Sequence, residues 1–486
     1  MYIIQKISTK ISSMPPGLKS SIALFTASLV TSGISYIVTP IYTRMLSPSE
    51  YGLTSMFMTW HHLFGIVAMF CLSAGVFNNG MIDFPKHRDD YSYSMLMLSN
   101  LITAAFSVVI IALYPLIGSV LKVDFPLLLL MCASFFFMPA YNFWTARQRY
   151  EYKYKYMFLW SLLCAFLSPL TAVLCILMFP HHRLYARLFG AQCSLMVIHI
   201  IFYVYLGMKN KFKLNTKYWR FALKFNLPLI PHYLSTYLLG SSDKIMITNL
   251  ISEAANGYYS VAHSVASVAT IMWSAVNASL VPFTYENCKK KNYNAIAKVT
   301  NVILTAFAVG CLLIIMMAPE VVAIMATKEY MEAIYVIPPI IGGVFFQVQY
   351  FLYANVVYYY KKPKYVMIAS LTATVLNLVL NYIFISRFGY LAAGYTTIFC
   401  YVVQAAIDFI AMRSVAKHNV YDMKYIGILS SAVIIVSLLS NLIYDYRIVR
   451  YAIVLICLIV AFIYRKKFIN NFMIVKNKEK TEENSL

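Results

Sequence analysis

Residues 20–43 read SSIALFTASLVTSGISYIVTPIYT, an apolar run with no charged side chain. A helix rises 1.5 Å per residue, so about 20 apolar residues cross a hydrocarbon core of roughly 30 Å. The run is too long for the apolar region of a secretory signal, and the basic residues 1–19 have no small-residue cleavage site following them. It is read as a retained first membrane span, and similar runs recur to the end of the chain. They occupy approximately 54–80, 93–121, 124–146, 156–180, 185–207, 222–250, 256–284, 297–319, 331–359, 365–386, 389–412, 425–444 and 448–468. The sequence therefore predicts an all-α integral membrane protein of about 14 transmembrane helices. Composition agrees: 61% of the 486 residues are hydrophobic and 12% are charged. Soluble domains carry roughly twice that share of charge.

The net charge of +22, from 40 Lys and Arg against 18 Asp and Glu, would suggest nucleic acid in a soluble protein. Here the cations sit in short loops, and they alternate. With residues 1–19 inside, every inner segment is basic: Lys86–Arg88, Arg147–Lys155, Lys209–Lys224, Lys289–Lys298, Lys361–Lys364, Arg413–Lys424 and Arg465–Lys480. The outer segments hold only Arg44, Lys122, Arg183, Arg187, Lys328, Arg387, Arg447 and Arg450. Positive charge marks the cytoplasmic side, so both termini are expected there and the number of spans is expected to be even. No nucleic-acid partner is implied; the partner is membrane lipid. The nine cysteines stand singly, without metal spacing or CxxC pairs, and read as small apolar residues. No metal, cofactor or catalytic motif is present, and the short outer loops leave no room for a catalytic domain. The chain is not expected to be an enzyme.

Two short segments resemble each other. Leu46-Ser47-Pro48-Ser49-Glu50-Tyr51-Gly52-Leu53-Thr54-Ser55 comes after the first span, and Ile251-Ser252-Glu253-Ala254-Ala255-Asn256-Gly257-Tyr258-Tyr259-Ser260 after the seventh. Ser47, Gly52 and Ser55 match Ser252, Gly257 and Ser260. Six spans lie between the copies, so they face the same side. This predicts a parallel repeat of two six-helix lobes around a central cleft, with alternating access. The expected organisation is an inner segment 1–19, an N-lobe 20–207, a basic linker 208–221 and a C-lobe 222–413. Two further helices at 425–468 and a cytoplasmic tail 469–486 complete it.

These segments resemble a known family. Thr43-Arg44-Met45-Leu46-Ser47-Pro48-Ser49-Glu50-Tyr51-Gly52-Leu53 is similar to the "arlLgpeeyGly" segment of Wzx-type O-antigen and polysaccharide flippases. Pro228-Leu229-Ile230, Asp243-Lys244-Ile245-Met246-Ile247 and Gly257-Tyr258-Tyr259-Ser260-Val261-Ala262 are similar to their "lP…DrilI…vGlYsvA" segment. Those flippases belong to the multidrug/oligosaccharidyl-lipid/polysaccharide exporter superfamily. The resemblance implies transfer of an undecaprenyl-diphosphate-linked oligosaccharide, as in lipopolysaccharide synthesis, across a bacterial inner membrane. A polysaccharide polymerase and a chain-length regulator are the implied partners. Cation-coupled drug efflux within the same superfamily is the alternative, and a membrane acyltransferase or polymerase a more distant one.

Polar residues within spans are the candidate cleft lining. Ser28, Thr31, Ser32, Ser35, Thr39 and Thr43 fall at helical spacing on the first span, with Arg44 at its outer end. His232, Thr236, Gly240 and Asp243 share a face of the seventh, where Pro228 and Pro231 are expected to break the helix. Lys244 is a candidate contact for phosphate or an acidic sugar, and cannot pair squarely with Asp243 on a regular helix. Asn277, Gln347, Asn377 and Asn381 suit sugar hydroxyls or interhelical hydrogen bonds. Asp243 and Asp408 are the candidate proton or cation sites. His61-His62 is expected to hydrogen-bond within the protein interior, and the Arg147–Tyr156 loop to sit near anionic lipid.

Overall fold

The computed structural model describes residues 16–73, 75–151, 153–459 and 462–463. The expected segment 1–19 lies largely, and the tail 469–486 wholly, outside the described residues, as do most of 460–468 and the Ser28 side chain. The described residues are helical almost throughout, and the expected spans from 20 to 444 fall on helices, the last, 448–468, being described only in part. In chain order these are α1 (Pro16–Met45), α2 (Pro48–Ala68), α3 (Gly75–Asp83), α4 (Arg88–Leu121), α5 (Phe125–Tyr150), α6 (Tyr154–Met178), α7 (Arg183–Lys209) and α8 (Trp219–Asn226). Next come α9 (Ile230–Leu250), α10 (Glu253–Lys289), α11 (Tyr293–Met316), α12 (Ala318–Met325), α13 (Ile337–Tyr359), α14 (Pro363–Phe388), α15 (Leu391–Ala416) and α16 (Met423–Leu439). A last described helix runs over 447–459. Among the described residues, 10 helices are long and apolar enough to cross a membrane. Helices α1, α2 and α9 and the helix at 447–459 are not among these ten.

Two expected spans are broken, for different reasons. The run 54–80 is interrupted after Ala68, where Phe70 and Cys71 adopt positive φ values of 54° and 47°. The carbonyls freed by that break are met by side chains: Thr103 Oγ1 donates to the Ala68 carbonyl at 3.0 Å and Asn226 Nδ2 to that of Phe70 at 2.7 Å. The run 222–250 breaks at Pro228, which sits in a 3-10 turn, Leu227–Leu229, between α8 and α9.

The chain divides into two compact units, 1–237 and 238–486, so the basic stretch 208–221 lies in the first. In the first unit α7 packs on α5 and α6, and α1 on α6. Gly190 makes the α6–α7 approach possible. A Cβ there would lie 2.9 Å from Ala172 Cα and 2.9 Å from the Thr171 carbonyl oxygen. Thr171 Oγ1 seals the contact, donating to the Gly190 carbonyl at 2.9 Å. Because both obstacles are backbone, Gly190→Val is expected to cost about 1–3 kcal/mol of overpacking strain. The check is the melting temperature of the purified protein in detergent, and an unaltered value would refute the close approach.

In the second unit α13 is buried on nearly all sides, packed among α10, α11, α15 and α16. Helix α16 joins this core through Gln349 Nε2 to Ser430 Oγ at 2.7 Å and Thr305 Oγ1 to Tyr425 Oη at 2.6 Å. The helix at 447–459 is tied down by Arg450, which is 1% exposed. Its guanidinium meets Glu320 through two bonds of 2.8 and 2.9 Å and also donates to the Met316 and Tyr444 carbonyls. Hydrogen bonds from Arg450 hold the Glu320 carboxyl below its ordinary value, against partial burial. The stabilisation is therefore present at neutral pH and is lost as pH falls through that lowered value.

The sequence repeat has a structural counterpart. Ser47 caps α2, accepting from the Glu50 amide at 3.3 Å, and Glu50 returns the bond to the Ser47 amide at 2.9 Å. Ser252 caps α10 with the first of these bonds, accepting from the Ala255 amide at 3.1 Å, while Ala255 has no carboxylate to return the second. Matching residues perform matching work at the start of corresponding helices.

Candidate functional site

The first unit contains a cavity of about 570 Å³ lined by Thr31, Ser35 and Thr39 of α1, Ser161 and Ser168 of α6, and Tyr42, Tyr51 and Arg187. Helix α1 tolerates so many hydroxyls because they bond to their own backbone. Thr39 Oγ1 donates to the Ser35 carbonyl at 2.9 Å and Ser35 Oγ to that of Thr31 at 3.2 Å. Their oxygens remain able to accept. The Arg187 guanidinium lies 4.0 Å from the Tyr42 ring centroid and 5.0 Å from that of Tyr51. Two rings thus fix a permanent cation beside a row of hydroxyls.

Arg187 was missed by sequence reasoning, which counted it among outer-loop charges. The signal was available: it falls inside the expected span 185–207, where a charge is rare. Tyr51 stands in the first copy of the repeated segment but carries no chemical motif. Arg44 is exposed at the end of α1, with Nη1 donating to the Pro40 carbonyl at 2.8 Å, and is not among the cavity-lining residues.

The second unit gathers a different cluster. Asp243 of α9 is 2% exposed. Its carboxylate accepts from Tyr259 of α10, from Thr397 Oγ1 of α15 at 3.4 Å and from Asn381 Nδ2 of α14 at 3.4 Å. Asn381 Nδ2 also donates to Asn377 Oδ1 at 3.1 Å, which accepts from Ser242 Oγ at 3.0 Å, and Thr396 donates to Asn381 Oδ1. Four helices thus bring one carboxylate, two amides and several hydroxyls to one buried place. Sequence reasoning named Asp243, Asn377 and Asn381 but not that they meet. It missed Tyr259, although the residue stands in the second copy of the repeat.

The remaining candidates are dispersed. Lys244 forms no ion pair with Asp243 among the described residues; His263, beside it, bonds to the Gly240 backbone. His232 and Thr236 belong to the first unit, Thr236 donating to the His232 carbonyl, so the four-residue face of α9 is divided between units. Asn277 accepts from Asn355 Nδ2 at 2.9 Å, and Gln347 Nε2 donates to Tyr401 Oη at 3.1 Å. Asp408 is fully buried, without a hydrogen-bond partner for either oxygen. His61 Nε2 lies 2.8 Å from Ser134 Oγ, an interior hydrogen bond. Among the described residues no group of three His, Cys, Asp or Glu could hold a metal.

At the end of α5, Arg147 binds Asp89 and Glu151, and Lys153 meets Glu151 at 2.6 Å. Burial pushes the Glu151 carboxyl up, but the hydrogen bonds from Lys153 and Arg147 together outweigh it and hold the group below its ordinary value. Much of this loop's positive charge is therefore spent internally.

Residues 18–288, more than half of the chain, match the family described as Polysaccharide biosynthesis protein. The chain belongs to that family. A relative within reach of sequence comparison is protein 1 of the Lsg locus of Haemophilus influenzae, 25% identical over 190 residues, or 38% of this chain and 47% of the relative. The chain thus spans about half the length of that curated relative. Among solved structures, the lipid II flippase MurJ in an inward closed conformation aligns with a TM-score of 0.66 at 15% identity, covering 92% of this chain and 99% of the other. An inward-facing multidrug resistance MATE transporter of the MOP superfamily aligns with a TM-score of 0.61 at 13% identity, covering 79% and 94%. At such identities these likenesses establish the fold. This member of the polysaccharide biosynthesis family is a multi-pass membrane protein with the fold seen in MurJ and in the MATE transporter.

Proposed function

We propose that the chain is a flippase for undecaprenyl-diphosphate-linked oligosaccharide units of an O-antigen or similar polysaccharide. It moves them from the cytoplasmic to the periplasmic leaflet of a bacterial inner membrane by alternating access, with both termini cytoplasmic. The carrying observation is the first-unit cavity, where Arg187 is set among hydroxyls and tyrosines. A guanidinium recognises phosphate, and hydroxyl acceptors match sugar hydroxyls. MurJ, which shares the fold, is named for flipping another lipid-linked cargo. An organic cation, the cargo of the efflux alternative, would be repelled by Arg187.

The Asp243 cluster serves as the coupling site in this reading. Turning the Asn381 amide and the Tyr259 hydroxyl would leave Asp243, Asn377, Asn381 and Thr397 oxygens facing a monovalent metal cation, the ligand chemistry that hard cations take. Lys244 and the interhelical amides are secondary contacts. A polymerase and a chain-length regulator are the partners that would consume the exported units.

The test is reconstitution in liposomes with undecaprenyl-diphosphate-linked oligosaccharide in one leaflet. Added glycosidase that cannot cross the membrane should release sugar from the far leaflet faster than in protein-free vesicles. No acceleration, together with export of an organic cation, would replace this reading by drug efflux.

A further inference from the structure

Asp408 is 0% exposed, and neither carboxylate oxygen has a hydrogen-bond partner. One turn earlier on α15, Gln404 Oε1 is likewise buried without a partner, while Gln404 Nε2 donates to Ser370 Oγ at 3.2 Å. The spacing of four places both side chains on one face of the helix. Helix α15 packs against α13 and α14. From α13, Tyr350 and Tyr358 interact electrostatically with the carboxylate, and Tyr285 of α10 lies behind Tyr358. From α14, the neutral Ser370 meets Gln404. Among the described residues no Lys, Arg or His forms an ion pair with Asp408.

Three acceptor oxygens, both of Asp408 and that of Gln404, are thus buried without a hydrogen-bond partner. An ionised carboxylate held there without compensation is strongly disfavoured against its protonated form. A single proton on Asp408 removes the charge and supplies the missing donor, which Gln404 Oε1 is placed to accept. The fuller oxygen set that a metal cation takes is found instead at the Asp243 cluster. We propose that Asp408 is a proton-carrying site of the transport cycle, protonated in this conformation with its O–H directed at Gln404, and separate from the Asp243 cluster. The O–H bond forms by taking a proton from water and breaks by returning it, so no other reactant is required. The inference rests on the transporter reading and not on the identity of the cargo.

The test has an arm that needs no cargo. In the infrared spectrum of the full-length protein in liposomes at neutral pH, Asp408→Asn should remove one protonated-carboxyl C=O stretch that Asp243→Asn leaves in place. Gln404→Leu should shift that stretch without removing it. A spectrum unchanged by Asp408→Asn overturns the assignment, and one unmoved by Gln404→Leu overturns the hydrogen bond. In the oligosaccharide assay, Asp408→Asn should abolish stimulation by a pH gradient; full stimulation would remove Asp408 from the cycle. If Asp408→Asn does not fold, Asp408→Glu must retain a displaced stretch, and its absence overturns the proposal. A wrong cargo would silence the transport arm in the wild type and leave the infrared result intact.

Discussion

Arg187→Ala is expected to bring oligosaccharide transport close to background while the protein remains folded and abundant in the membrane. The guanidinium is the cation in the first-unit cavity, stacked on Tyr42 and Tyr51. A hydrogen bond to a charged group contributes roughly 1.5–3 kcal/mol, which corresponds to about a tenfold to hundredfold loss of affinity. Losing the stacked plane also leaves both rings without their partner. Arg187→Lys should recover only part of the rate, because an ammonium keeps the charge but neither the fork nor the stacking. The measurement is initial rate against glycolipid concentration, with abundance monitored in parallel. Equal rates for Arg187→Ala and wild type would remove the cavity from the transport path.

Asp243→Ala carries the second large effect. Tyr259, Thr397 and Asn381 all donate to this carboxylate. Truncation strands buried donors at about 1–3 kcal/mol for each one left unsatisfied. The variant should therefore melt well below wild type. Asp243→Asn isolates the function, since it preserves volume but removes the charge a cation requires. We expect Asp243→Asn to transport at a rate indifferent to a sodium gradient at fixed pH. A sodium response equal to wild type would dismiss the cluster as the coupling site and leave it a structural network.

Much of the fold could be read from the chain because the membrane imposes a length on each helix and a sign on each loop. Apolar runs such as 93–121 have no other stable form, and α4 matches that run closely. The breaks were unequally visible. Pro228 announces one, whereas the turn at Phe70-Cys71 depends on Thr103 and Asn226, which come from elsewhere in the chain. The sites divided along the same line. A hydroxyl row at helical spacing could be placed on one face of α1, and its Ser35 and Thr39 do line the cavity. That Arg187 turns toward that face, or that Tyr259 reaches Asp243, is a matter of packing between helices, which periodicity along one helix does not contain.

The Arg450–Glu320 pair has a consequence for biogenesis. An arginine within a membrane helix costs up to roughly 2.5–3.5 kcal/mol at the insertion machinery. Arg450 is made 130 residues after Glu320, so its partner is already in place when it emerges. We therefore expect Glu320→Ala, which takes the ion pair from Arg450, to lower the yield of folded protein in the membrane; an unchanged yield would show that this helix inserts without the pair.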